Sequence, residues 1–205
     1  TMSASQSFVL ENNGDLHITR TGTAYSEDAL NLHTTGTVTN EQTLASRGEA
    51  VIQADSGMVN TGVVGAGVSR DGKVRRKGNL TVKTTTLQND KAQVVSGGSL
   101  DVQAQTISNR EGEISAQGDA AVQSAQSIDM EKGKVSAKGN LTIQSDALSL
   151  HGVIASGGDA TITTHQSLSN DHSAENMGTV MADGNLTLHT DGTLTNSRKI
   201  ESGKT

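Results

Sequence analysis

One short block recurs along this chain, and it restricts the fold more than any other feature. It reads Gly or another small polar residue, then Asn, Asp or a similar residue, then apolar, any, apolar. The instances are Gly14-Asp-Leu-His-Ile, Asp28-Ala-Leu-Asn-Leu, Gly48-Glu-Ala-Val-Ile, Gly78-Asn-Leu-Thr-Val and Gly98-Ser-Leu-Asp-Val, followed by Gly118-Asp-Ala-Ala-Val, Gly139-Asn-Leu-Thr-Ile, Gly158-Asp-Ala-Thr-Ile and Gly184-Asn-Leu-Thr-Leu. Successive starts lie 14, 20, 30, 20, 20, 21, 19 and 26 residues apart. The two apolar positions are filled in every instance, although only 32% of the chain is hydrophobic. Alternation at period two marks a half-buried strand, and a repeat of about twenty residues marks a solenoid.

Two further strands follow within each repeat. A pattern of apolar, any, Asn ends at Asn40, Asn60, Asn89, Asn109, Asn170 and Asn196, with Met130 and Leu150 in place of Asn in two repeats. Four residues before the next block stands an apolar residue with a small one two places later, as in Leu44/Ser46, Val94/Ser96, Ile114/Ala116, Val135/Ala137, Ile154/Ser156 and Val180/Ala182. Each repeat is therefore three short strands joined by Gly, Asn, Asp and Ser corners. Stacked coils bury like positions on like, and parallel strands bond coil to coil at about 4.8 Å. The repeated Asn suits either a left-handed corner or a ladder of stacked amides.

The expected fold is all-β: a right-handed parallel β-helix, or β-solenoid, of about nine rungs and roughly 40 Å length. A left-handed β-helix counts in sixes, giving rungs of about eighteen residues, and leucine-rich repeats need a longer Leu motif. The expected core includes Leu80, Val82, Leu100, Val102, Ile107, Ile114, Val122, Leu141, Ile143, Ile162, Leu186 and Leu188. Residues 1–205 read as a single array. Its first rung, 8–27, is expected to be irregular and to lack a middle strand, because the first interval is short. Inserted loops are expected at about 65–77 and 171–177.

Composition fits this frame. The chain lacks Cys, Pro and Trp and carries one Tyr and one Phe. So few aromatics argue against a globular core of this length, and the low hydrophobic content would suggest disorder if the periodicity did not oppose it. No disulfide framework is available, and most zinc motifs are excluded. A net charge of −6 with scarce aromatics gives neither the electrostatic footprint nor the stacking platforms of a nucleic-acid binder. No apolar run is long enough to span a membrane as a helix.

The run Gly-Asn-Leu-Thr-Val/Ile, then Leu-x-Asn, then Gly-x-Ile-x-Ala-x-Gly, most clearly between Gly78 and Gly158, resembles the repeats of filamentous haemagglutinins and their relatives. Those exoproteins belong to bacterial two-partner secretion systems and include adhesins, haemolysins and contact-dependent inhibition effectors. The resemblance implies a shaft segment, exported through an outer-membrane transporter partner to the cell surface or medium. It further implies a host or bacterial surface receptor or glycan as the eventual partner. Adhesin shaft and toxin-carrier stalk share the repeat and remain open alternatives. The absence of Pro sets aside the family's Asn-Pro-bearing secretion domain, and the chain is expected to be an internal piece that continues in both directions.

Chemistry is sparsely provided. Polysaccharide-acting enzymes also use β-helices, but they need paired carboxylates on neighbouring rungs. The outward residues of the main strand are Thr81/Lys83, Asp101/Gln103, Ala121/Gln123, Thr142/Gln144, Thr161/Thr163 and Thr187/His189, with one carboxylate among them. No catalytic residue and no cofactor is assigned. His33 and His189 share a phase but lie roughly 34 Å apart at the rung spacing, and no histidine spacing matches a zinc motif, so the histidines read as solvated surface residues. The exception is a basic cluster in the longer insertion: Arg70, Lys73, Arg75, Arg76 and Lys77, with one acid. The remainder of the chain carries −10, so the cluster stands out as a possible contact for an anionic glycan or surface. The commoner role of such a segment is a solvated, mobile insertion.

Overall fold

The computed structural model describes residues 1–170 and 178–203. Among these, every regular element is a strand, and the strands form two parallel sheets of ten and fourteen members. Each rung contributes three stretches, here called a, b and c. The a-strands begin with Phe8–Asn12, Leu30–Thr34, Ala50–Ala54 and Leu80–Thr84. The first b-strands are Leu16–Ile18, Thr37–Asn40, Gly57–Asn60 and Thr86–Gln88. The c-strands, from Met2–Ala4 and Thr23–Ser26 to Thr179–Ala182 and Lys199–Ser202, make up the ten-stranded sheet.

In the middle of the stack the a- and b-strands fuse. Leu100–Ser108, Ala120–Asp129, Leu141–Ser149 and Ala160–Asn170 each run through both faces. Their register slips at the bend, for example between Gln123 and Ser127. A bulge of this kind turns a strand without ending it. The expected separate a- and b-strands hold where Asn13-Gly14, Thr35-Gly36, Ser56-Gly57 or Asp191-Gly192 interrupts the run, and where Thr85 lies between Leu80–Thr84 and Thr86–Gln88. The four fused rungs have no Gly at that corner, and pairing continues through it.

Register makes the stacking explicit. Leu80 lies against Leu100, Leu100 against Ala120 and Ala120 against Leu141, so all four share one inner column. The next column holds Val82, Val102, Val122 and Ile143, with Ile162 above them. Ile107 belongs to the b column and Ile114 to the c column. All of these are buried and join one continuous core. Leu186 and Leu188 differ from the expectation: they are only half-buried, because they lie in the last a-strand, which is paired on one side alone.

The first rung also differs. The block at Gly14 is a b-strand and not an a-strand, since Leu16 pairs with Val38 and Ile18 with Asn40. Its a-strand is Phe8–Asn12, which pairs Phe8 with Leu30. The rung therefore has all three strands, and the apparent short interval came from a b-strand whose residues imitate the block. The insertion expected at 171–177, with His172, lies outside the described residues.

Two ladders hold the corners. At the b–c corner Asn40 Nδ2 donates to Asn60 Oδ1 (2.8 Å), Asn60 to Asn89 (2.7 Å) and Asn89 to Asn109 (2.8 Å), all fully buried. The same amides reach main-chain carbonyls, as from Asn60 to Gln93 O at 2.9 Å and from Asn109 to Lys134 O at 3.0 Å. Left-handed backbone occurs instead two residues farther on, at Lys91, Glu111 and Lys132, so the ladder and not the turn accounts for Asn. At the c–a corner a second, exposed ladder runs side chain to main chain. Asn79 Oδ1 accepts Ser99 N–H (2.9 Å), Asp119 accepts Asn140 N–H (2.8 Å), Asn140 accepts Asp159 N–H (2.9 Å) and Asp159 accepts Asn185 N–H (2.7 Å). Buried serines close the inside of that corner, with Ser96 Oγ donating to Gly78 O and Ser156 Oγ to Gly139 O. This is why the inner position there is small, Ser in some rungs and Ala in the others.

Candidate functional site: an insertion seated on the c sheet

The outward column of the c-strands reads Tyr25, Ala45, Gly65, Val95 in register. Ala45 and Gly65 leave a hollow between the larger Tyr25 and Val95, and the insertion that follows strand Val63–Ala66 folds back to fill it. Val68 is fully buried there with Tyr25, Ala45 and Val95, as a satellite to the main core. A Cβ on Gly65 would lie 3.0 Å from Val68 Cγ2, so the close seat favours glycine. Gly67 turns the chain at φ +70°, a conformation unfavourable for side-chain-bearing residues. The bridge between Val68 and Val74 closes the excursion into a small antiparallel flap.

Polar contacts fasten the flap. The Tyr25 hydroxyl donates to Val68 O at 3.0 Å, and burial pushes its pKa up, with nearby Glu27 adding to the shift. The Arg70 guanidinium stands 4.9 Å from the centre of the Tyr25 ring and pairs with Glu27 at 3.5 Å. Glu27 also pairs with Arg47 at 3.5 Å. Inside the flap, Asp71 accepts from the Ser69 hydroxyl and pairs with Lys73 (3.4 Å) and Arg75 (3.9 Å). The Ser69 hydrogen bond first, and the Lys73 N–H and side chain after it, hold the Asp71 carboxyl down to about 2.

The five basic residues thus divide. Arg70, Lys73 and Arg75 are engaged by carboxylates of the chain itself, whereas Arg76 and Lys77 are exposed with no ion pair among the described residues. Sequence reasoning grouped the five by charge and missed Tyr25, Glu27, Arg47 and Val68, which hold the segment in place. A faint signal was present, since the only Tyr of the chain occupies a column filled mostly by Ser, Ala and Gly.

Four histidines meet carboxylates at the surface, three of them from a neighbouring rung. His33 lies between Glu11 (3.0 Å) and Asp55 (3.2 Å), and their hydrogen bonds, Asp55 foremost, raise its pKa. His165 and His189 flank Asp191 at 3.0 and 2.9 Å, which lowers the Asp191 pKa. His17 meets Glu41 at 3.3 Å. Among the described residues, no group of three His, Asp or Glu is arranged to hold a metal ion, and no helix is long and apolar enough to cross a membrane.

Comparison with known proteins agrees with this architecture. The haemagglutinin repeat family model matches three overlapping spans, residues 9–69, 52–124 and 120–198. No curated protein and no solved structure matches the chain. The haemagglutinin repeat thus covers residues 9–198 of a stack of twenty-residue rungs, and the chain belongs to the haemagglutinin repeat family.

Proposed function

We propose that the chain is a structural shaft segment of a large secreted or surface-exposed bacterial exoprotein, exported by two-partner secretion, which carries adhesive or receptor-binding elements away from the cell. The observation that carries this reading is the threefold match to the haemagglutinin repeat on a stack with one continuous core. Rungs that contact only their neighbours make length adjustable by whole repeats. Among the described residues no rung gathers paired carboxylates with an aromatic platform, and this supports a mechanical role over a catalytic one.

The test exploits periodicity. Removing residues 98–117 from the full exoprotein takes out one complete rung and leaves Gly118 in the register of Gly98. The shortened protein is expected to reach the surface and bind target cells as before. Removing residues 98–107 breaks register and is expected to abolish surface display. Loss of cell binding by the one-rung deletion, with display intact, would show that this segment itself carries the binding site and overturn the shaft reading.

The flap supports a second, local role as an anion contact. Arg76 and Lys77 are free to meet a sulfated glycan, whereas Arg70, Lys73 and Arg75 serve mainly to hold the flap. Changing Arg76 and Lys77 to Gln is expected to shorten retention on heparin. Unchanged retention ends this role.

A further inference from the structure

We propose that two copies of the chain pair antiparallel through their c sheets, the flap of each entering a hollow on the other. The outward column of that sheet continues past the flap. Beyond Val95 it reads Ser115, Ser136, Ala155 and then Met181 in register. Small residues between two large apolar ones repeat the pattern of the flap seat, where Ala45 and Gly65 lie between Tyr25 and Val95. The first hollow spans three rungs, about 14 Å, and the second four, about 19 Å, so the second is long enough for a flap of the same kind. The first is filled by Val68. The second is an open depression of about 610 Å³ among the described residues.

Exposed apolar surface marks both parts of the contact. Val74 on the flap and Met181 on the wall of the second hollow are each 37% exposed, an unusual state for large apolar side chains in this chain. The other exposed ones lie elsewhere: Val9 and Val51 on a-strands, and Leu194 in the last b-strand, which is paired on one side. The flap seat already shows that a row of small residues on this sheet accepts a folded-back turn bearing a β-branched residue.

Symmetry selects the arrangement. Flap and hollow are a rise and a dip on one face, side by side along the rod. Antiparallel pairing of two such faces sets each rise over the other's dip, which is the self-complementary contact of a two-fold dimer. Parallel pairing in register sets flap on flap and leaves both hollows empty.

Charge agrees with the antiparallel form. Arg76 and Lys77 leave the flap along the c–a edge, beside Gly97, and have no ion pair among the described residues. Along the same edge beside the second hollow, Asp119, Asp159 and Asp183 are exposed, and they too have no ion pair among the described residues. Lys138 stands among these acids, so the edge stays net acidic. On the opposite edge Lys134 is engaged by Glu113 at 3.8 Å. A two-fold axis lying across the rods in the interface brings the c–a edge of one copy to the c–a edge of the other. The unpaired cations then face unpaired acids. Ten strands of about four residues offer about 600 Å² per copy, the low end for a specific interface, which sets the expected dissociation constant on the order of 10 µM.

The test is sedimentation equilibrium of the full chain from about 1 to 200 µM, bracketing that constant. A monomer–dimer equilibrium is expected, weakened several-fold by about 0.5 M salt. Ser136→Arg fills the hollow from the solvent side of its strand and is expected to weaken pairing about tenfold or more with an unchanged melting temperature. The Arg76→Glu, Lys77→Glu double variant is expected to do the same. The chain has no Cys, so the arrangement can be read by mixing a Lys73→Cys copy with a Ser136→Cys copy under an oxidant. The mixed disulfide dimer is expected to form ahead of either homodimer. A chain that stays monomeric throughout would overturn the proposal. So would dimers indifferent to Ser136→Arg, as end-to-end stacking gives, or a Lys73→Cys homodimer that forms first, as parallel pairing gives. None of these outcomes bears on the shaft reading, which rests on the repeat and not on self-association.

Discussion

Asn60 and Asn89 are joined amide to amide, Nδ2 to Oδ1 at 2.7 Å, although one full rung and an insertion separate them in sequence and neither is accessible to water. Asn60 Nδ2 also donates to Gln93 O, and its Oδ1 accepts from Asn40. Replacing Asn60 with Ala leaves Asn89 Oδ1 without its donor in the interior and removes the bond to Gln93 O, and an unmet buried group costs about 1–3 kcal/mol. Urea unfolding of Asn60→Ala is expected to show a loss of at least about 2 kcal/mol. A loss below half that would show that the ladder contributes little.

The ladder is interrupted where Met130 and Leu150 replace Asn, and just above the gap Asn170 Oδ1 is buried without a hydrogen-bond partner among the described residues. A single Met130→Asn or Leu150→Asn change introduces a buried amide with one side unsatisfied. The double change lets Asn109 donate to position 130, position 130 to position 150, and position 150 to Asn170. The double variant is expected to be more stable than the sum of the singles by about 1 kcal/mol or more, as measured by a double-mutant cycle. Additive losses would show that the column geometry does not extend through the gap.

Tyr25→Phe removes only the hydroxyl that donates to Val68 O, and Val68→Ala hollows the seat. The first is expected to cost about 1 kcal/mol of flap docking. Because Lys73 to Lys77 are exposed, the readout is the initial rate of tryptic cleavage after Arg75 and Arg76, which is expected to rise several-fold in both variants. An unchanged rate in both would show that the seat does not restrain the flap.

His33 has a raised pKa from its hydrogen bonds to Asp55 and Glu11. A folded value above the unfolded one gives stability that is fully present below the unfolded pKa and fades as pH rises through the folded value. The melting temperature is therefore expected to fall between about pH 6 and pH 8, and His33→Gln is expected to flatten that slope. The pairs are exposed, so the effect is small and is weakened by salt. An equal slope in the variant would assign the pH dependence to other groups.

Much of the architecture was legible in the chain because each rung repeats the same physical problem. An apolar residue every second position must be covered, and an identical neighbour above and below covers it. The columns through Leu80, Leu100 and Leu141 followed from that logic. The same logic misplaced the first rung, since Gly14-Asp-Leu-His-Ile imitates an a-strand and only its pairing with Val38 and Asn40 reveals a b-strand. Local pattern carries strand phase but not which face of the coil a strand occupies.

The periodic residues, read alone, determined the solenoid, its rung length and the positions of the corners, because those depend on contacts between like positions one repeat apart. Tertiary structure alone decided that the basic insertion is seated on Tyr25 and tied to Glu27 through Arg70, since those partners lie more than forty residues upstream and in no repeat-equivalent position. It likewise decided which Asn faces inward to a ladder and which faces water, because that depends on the corner a residue occupies once the coil has closed.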